Sequence, residues 1–92
     1  MLEFEWNPAK AASNLRKHGV SFDEAASAFG DIRSLTIPDP DHSIEEQRYL
    51  LLGYTVARRL VVVSHVERDT RIRVISARLA TPLQRKAYEK NI

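Results

Sequence analysis

The 92-residue chain contains no cysteine, three glycines, one methionine and one tryptophan. Without cysteine there is no disulfide framework and no thiolate zinc site, so stability must come from packing, as expected in a reducing compartment. With so few glycines there is no Gly-rich phosphate loop, and neither a nucleophile elbow nor a zinc-binding helix motif is present. Nucleotide cofactors are not expected. No apolar run approaches the roughly 18 residues of a membrane helix, and the opening Met1-Leu2-Glu3-Phe4-Glu5-Trp6 is acidic where a secretory leader would be basic. The expectation is a soluble, cytoplasmic protein.

What is present is an ordinary globular composition, 43% hydrophobic and 28% charged, in a length that fits one domain spanning residues 1–92. Charge is unevenly spread along the chain. Residues 1–47 carry nine acids against four Lys/Arg, and residues 48–92 carry three acids against ten. An arginine-rich half of this kind suits a phosphate polyanion, while the acidic half could meet a basic partner. Asp23, Glu24, Glu45 and Glu46 are the expected contacts for such a partner.

Hydrophobic periodicity predicts the elements. Leu2, Phe4 and Trp6 alternate with Glu3 and Glu5 as a short strand, and Asn7-Pro8 then opens a helix over 8–18 that Gly19 closes. Ser21 and Glu24 form a capping-box pattern, and Phe22, Ala25, Ala26 and Phe29 make one apolar stripe of a second helix over 21–29. Leu35 and Ile37 mark a strand ending at Pro38, and three further strands are expected over 48–54, 59–66 and 71–77. Thr81-Pro82-Leu83-Gln84 caps a last, basic helix. The order is β-α-α-β-β-β-β-α, an α+β domain with an antiparallel sheet and its helices on one face. A three-residue turn at 68–70 is the preferred register. It groups Leu60, Val62, Ser64, Val66, Ile72, Val74, Ser76 and Arg78 on one face, with His65, Glu67, Arg71 and Arg73 on the other.

Several residues could carry chemistry. Alternating arginines in Arg71-Ile72-Arg73 fan guanidinium forks onto one sheet face, and Arg78 is the one charge on the apolar face, where it needs a carboxylate, a carbonyl or a phosphate. Lys17 and His18 suit the negative end of a helix dipole, and equally suit a phosphate contact and a proton transfer. His65 lies beside Glu67 and two arginines, as either an acid/base residue or a satisfied group. Trp6 near Lys10 could stack a base or close the core. Asp39, Asp41 and His42 fall within four residues, but Pro38 and Pro40 make that stretch a turn and no second ligand cluster accompanies it. No metal is expected.

Phe4-Glu5-Trp6-Asn7-Pro8-Ala9-Lys10, Asn14, Lys17-His18-Gly19-Val20-Ser21-Phe22-Asp23-Glu24-Ala25, Arg59-Leu60-Val61-Val62-Val63 and Arg71-Ile72-Arg73-Val74-Ile75-Ser76-Ala77-Arg78 together resemble the BrnT family of type II toxins. The resemblance implies a RelE-like fold and metal-independent RNA cleavage that stops growth. It also implies a BrnA-like ribbon-helix-helix antitoxin as partner, with two copies of each chain and operator DNA reached only through the antitoxin. On that basis Arg73 and Arg78 are expected at the phosphorane, Lys17 and Arg48 at flanking phosphates, and His18 or Glu67 at proton transfer, with Trp6, Lys10 and His65 as further substrate contacts. The competing class is a non-catalytic module that grips nucleic acid or an acidic protein through the same basic half.

Overall fold

The structure is a computed structural model that describes residues 2–42 and 46–91. Its helices begin where side chains can satisfy the first free amides. The Asn7 carboxamide accepts from Ala9 N and Lys10 N at 2.8 and 3.2 Å, opening α1 (Pro8–His18), and Gly19 ends it in the left-handed region at φ 69°. The Ser21 hydroxyl accepts from Glu24 N at 3.0 Å and opens α2 (Phe22–Ser27), which runs into a 3-10 turn at Ala28–Gly30. Thr81 and Gln84 form a full capping box at the start of α3 (Pro82–Lys90). At α2 the expected reciprocal half of the box is missing, because the Glu24 carboxylate turns to Arg59 and Thr55 instead.

Five strands, β1 (Glu3–Glu5), β2 (Leu35–Pro38), β3 (Tyr49–Tyr54), β4 (Leu60–Arg68) and β5 (Arg71–Leu79), form one sheet in the order β1-β5-β4-β3-β2. The sheet is mixed rather than purely antiparallel: β1 lies parallel to β5, since α1, α2 and three strands separate the two in sequence. Nor do the helices share a face. Val20, Phe22, Ala25 and Ala28 bury against Leu51, Val61, Val63, Val74 and Ala77, whereas Tyr88 of α3 packs with Leu52, Leu60 and Val62 on the opposite side. Successive strand residues point to opposite faces, so both sides of β3 and β4 are apolar and both need cover. Gly53 allows the close approach on the first face, where a Cβ would meet Ala28 O and Ser34 Cβ at 3.1 Å.

The β4–β5 turn has two residues, not three. Arg68 pairs with Arg71, and Asp69 takes a left-handed φ of 53°. The resulting conflict between apolar and charged residues is resolved by a β-bulge: Ser64 pairs with Ser76 and His65 with Val74, leaving Ile75 as the extra residue. One inserted residue reverses the alternation. Ile72 and Val74 thus share the α1/α2 face with Ala77, while Arg71, Arg73, Ser76 and Arg78 all share the other. Arg78 is therefore not separated from Arg73 by the sheet.

Part of the charge asymmetry along the sequence is paired off within the fold. Glu24 pairs with Arg59, Glu46 with Arg68 at 3.0 Å, and Glu5 with Arg71 at 3.7 Å. Of the acids expected to meet a basic partner, Glu24 and Glu46 thus already have cations, and Glu45 lies outside the described residues. No helix among the described residues is long and apolar enough to cross a membrane.

Candidate functional site

On the sheet face that α1 and α2 leave uncovered, a cleft of about 290 Å³ opens beside α3. Ser64 and Ser76, directly paired on β4 and β5, lie in it with Leu50 and Ile75, and Arg48 and Arg78 converge there with Asp39, Asp41 and His42. The strands explain the meeting. Val62 pairs with Arg78 and Leu50 with Ser64, so Arg78 projects from the same face as Leu50, and Arg48 stands two residues before Leu50. The Arg78 guanidinium donates through one nitrogen to Gln84 Oε1 at 3.0 Å and to Leu79 O at 3.1 Å, which ties it to the cap of α3.

The other wall is formed by Asp39, Asp41 and His42, which follow β2. Asp39 N donates to Arg48 O at 2.8 Å, extending the ladder past the end of β2, and the Asp39 side chain is buried. One Asp39 oxygen accepts from Asp41 N at 3.0 Å and the other lies 3.1 Å from His42 Nδ1. Burial pushes the Asp39 carboxyl upward, but the Asp41 amide, His42 and the nearby Arg48 outweigh it and hold the group below its ordinary range. Sequence reasoning treated these residues only as possible metal ligands. The signal that could have found the pair is the Asp39-x-x-His42 spacing within a turn. Among the described residues no three His, Asp or Glu side chains gather as a metal cage.

The remaining expected site residues are scattered. Arg73 is exposed on the same face, beyond the bulge, with no ion-pair partner among the described residues. Lys10, Lys17 and His18 line a second pocket of about 200 Å³ between α1 and β5, and it shares Ile75 and Ser76 with the first. His65 is 0% exposed, wedged edge-on to Phe29 and stacked on Tyr49, with Nε2 3.0 Å from Glu67 Oε2. It offers a substrate no surface. Glu67 follows His65 by two strand positions and so faces the α1/α2 side, away from the arginines. Trp6 packs edge-on to Phe22 at 5.9 Å as part of the core rather than as an open stacking platform.

Two polar networks hold this frame. Arg59 donates to both Glu24 oxygens and to Gly19 O, and Thr55 Oγ1 donates to Glu24 at 2.8 Å. The hydrogen bond from Arg59, with that from Thr55 and against the opposing effect of burial, lowers the Glu24 pKa, and the Glu24 carboxylate in turn raises that of Arg59. Tyr88 OH donates to Asp31 at 2.6 Å; burial and that carboxylate push the phenol up to about 12.

A family model described as "Ribonuclease toxin, BrnT, of type II toxin-antitoxin system" matches residues 6–83. No curated protein matches the chain. Among solved structures, the crystal structure of the Brucella abortus ribonuclease toxin BrnT is similar in fold. The TM-score is 0.67 at 19% identity, covering 88% of this chain and 99% of that one.

Proposed function

The chain belongs to the BrnT family of ribonuclease toxins of type II toxin-antitoxin systems, and from that premise we propose that it cleaves RNA without a metal ion, by attack of a ribose 2′-OH on the adjacent phosphorus. The observation that carries this reading is the meeting of Arg48 and Arg78 over the Ser64–Ser76 pair in an open cleft. A phosphorane gains negative charge on its equatorial oxygens as it forms, and planar guanidinium forks placed there stabilise it more than they stabilise the starting diester. Arg73, on the same face, and Lys10 and Lys17, in the neighbouring pocket around the β5 edge, are the contacts for flanking phosphates. Such contacts position the chain without reading its sequence.

In the cell this activity arrests translation and growth. A BrnA-like ribbon-helix-helix antitoxin restrains it in a complex of two toxins and two antitoxins, and operator DNA is contacted through the antitoxin alone.

The test is incubation of the purified chain with single-stranded RNA in EDTA. Cleavage is expected to leave a 2′,3′-cyclic or 3′-phosphate and a 5′-hydroxyl, and a 2′-deoxy substitution at the cut position should abolish it. RNA that stays intact while tightly bound would replace this reading with the binding module.

A further inference from the structure

Among the described residues, the cleft holds one side chain of the type that exchanges protons near neutral pH, His42. The other two histidines are elsewhere: His65 is fully buried, and His18 lines the pocket beside α1. His42 is 64% exposed at its side chain, yet its ring is anchored, because Nδ1 lies 3.1 Å from an Asp39 oxygen whose carboxylate is itself 7% exposed. Asp39 is fixed in turn by the Asp41 amide and by its own backbone bond to Arg48 O. An ionised carboxylate only accepts hydrogen bonds, so the Nδ1 facing it carries the proton and the neutral ring has its lone pair on Nε2. Nε2 has no partner among the described residues.

We propose that His42 is the catalytic base of the cleft and Asp39 its positioning residue, with Arg48 and Arg78 stabilising the phosphorane that the base helps to form. This rests on the RNA-cleavage reading above. As Nε2 takes the proton from the 2′-OH, the O2′–P bond forms and the P–O5′ bond breaks. Asp39 stabilises the imidazolium produced, as a carboxylate behind a histidine does in other hydrolytic sites. The departing 5′ oxygen takes a proton from water in the open cleft, and the hydroxide left behind recovers one from the imidazolium. No proton is consumed overall. Among the described residues, the charged groups lining the cleft with His42 are Asp39 and Asp41 from its own loop, Arg48 just before β3 and Arg78 from β5. A base accepts the 2′-OH proton only in its unprotonated form, so the acid-side loss of activity is expected to depend on His42.

Single-turnover cleavage of an RNA oligonucleotide by the full chain tests the assignment. His42→Gln should cut roughly 10²–10⁴-fold more slowly, while binding the 2′-deoxy form of the same oligonucleotide with unchanged Kd and melting at the wild-type temperature. The acid limb of the rate–pH profile should disappear. His42→Ala, with activity partly restored by added imidazole, is the second variant. Asp39→Asn should lower kcat with little change in KM and displace the acid limb. A substrate with sulfur in place of the bridging 5′ oxygen separates base from acid: a thiolate leaves without a proton, so His42→Gln should stay slow on it. Recovery of His42→Gln on the thio substrate, or wild-type rates with an intact acid limb on the normal one, would overturn the assignment and leave RNA cleavage standing. A wild-type chain that cuts no RNA would overturn the cleavage reading itself.

Discussion

Asn14 and Ala77 are joined by two hydrogen bonds, Nδ2 donating to Ala77 O at 2.8 Å and Ala77 N donating to Oδ1 at 3.1 Å. The pairing of β1 with β5 stops at Arg73, and beyond it the Asn14 carboxamide takes the place of a neighbouring strand's peptide on the exposed edge. Its second donor reaches Val20 O at 2.9 Å, which fastens α1, the α1–α2 connection and β5 together. Replacing Asn14 with Leu leaves buried backbone groups unpaired. The expected loss is roughly 2–4 kcal/mol, read as a lower urea midpoint with an unchanged slope. Asp at this position keeps the acceptor but loses both donations to carbonyls, and should be destabilised comparably.

Arg78 serves two ends, holding the cap of α3 and facing the cleft. Arg78→Ala is expected to lower kcat/KM by roughly 10²–10³-fold, the scale for losing one preorganised donor at a developing oxyanion. Lysine should restore part of the loss, since it keeps the charge without the fork. Melting curves measured beside the kinetics separate this from loosening of α3. The exposed Arg33, remote from the cleft, should tolerate alanine with full cleavage. A folded Arg48→Ala/Arg78→Ala double variant that cuts at the wild-type rate would remove this face from the mechanism.

Acid should weaken the fold through Glu24. Its folded-state pKa lies below the ordinary value near 4.5, chiefly because Arg59 hydrogen-bonds the ionised form. A depressed carboxyl contributes stability that is fully present above its unfolded value and is lost as pH falls through the lower folded one. Asp31 and Asp39 are shifted the same way and add to the slope. Glu24→Gln is expected to melt below wild type at pH 7, and the gap should narrow as both are titrated below about pH 4.

Alkali should act through Tyr88. Burial and the Asp31 carboxylate raise its pKa from 10.0 to about 12. A raised group contributes stability below its unfolded value and loses it as pH climbs through the folded one, so α3 should loosen between about pH 10 and 12. Absorbance titration should show one phenol ionising last. Tyr88→Phe should remove that step and cost about 1.5–3 kcal/mol at neutral pH, the worth of a hydrogen bond to a charged acceptor.

The antitoxin surface can be tested by charge. The acids expected to attract it, Glu24 and Glu46, are paired with Arg59 and Arg68, whereas Asp23 is exposed at the first turn of α2 and forms no ion pair among the described residues. Reversing Asp23 should slow association with a BrnA-like partner and flatten its salt dependence, measured by stopped flow. A larger effect from Arg73 would place the antitoxin over the cleft face.

Local rules made much of the fold legible in the sequence. Asn7, Ser21 and Thr81 cap the helices they were expected to cap, because a cap is made within three residues of chain and needs nothing from elsewhere. The eight predicted elements occur in the predicted order, since each has enough apolar periodicity to declare its type. The alternating arginines of β5 were legible in the sequence as well. Tertiary structure decided what those arginines face. Counting by twos cannot register an inserted residue, so only the pairing of β5 with β4 revealed the bulge at Ile75 that carries Arg78 to the side of Arg73. The parallel β1 and the opposite placement of α3 likewise depend on contacts between segments far apart in sequence. His42 shows the limit most plainly: its spacing from Asp39 is local, but that it lines one cleft with Arg78 is decided only by the tertiary structure.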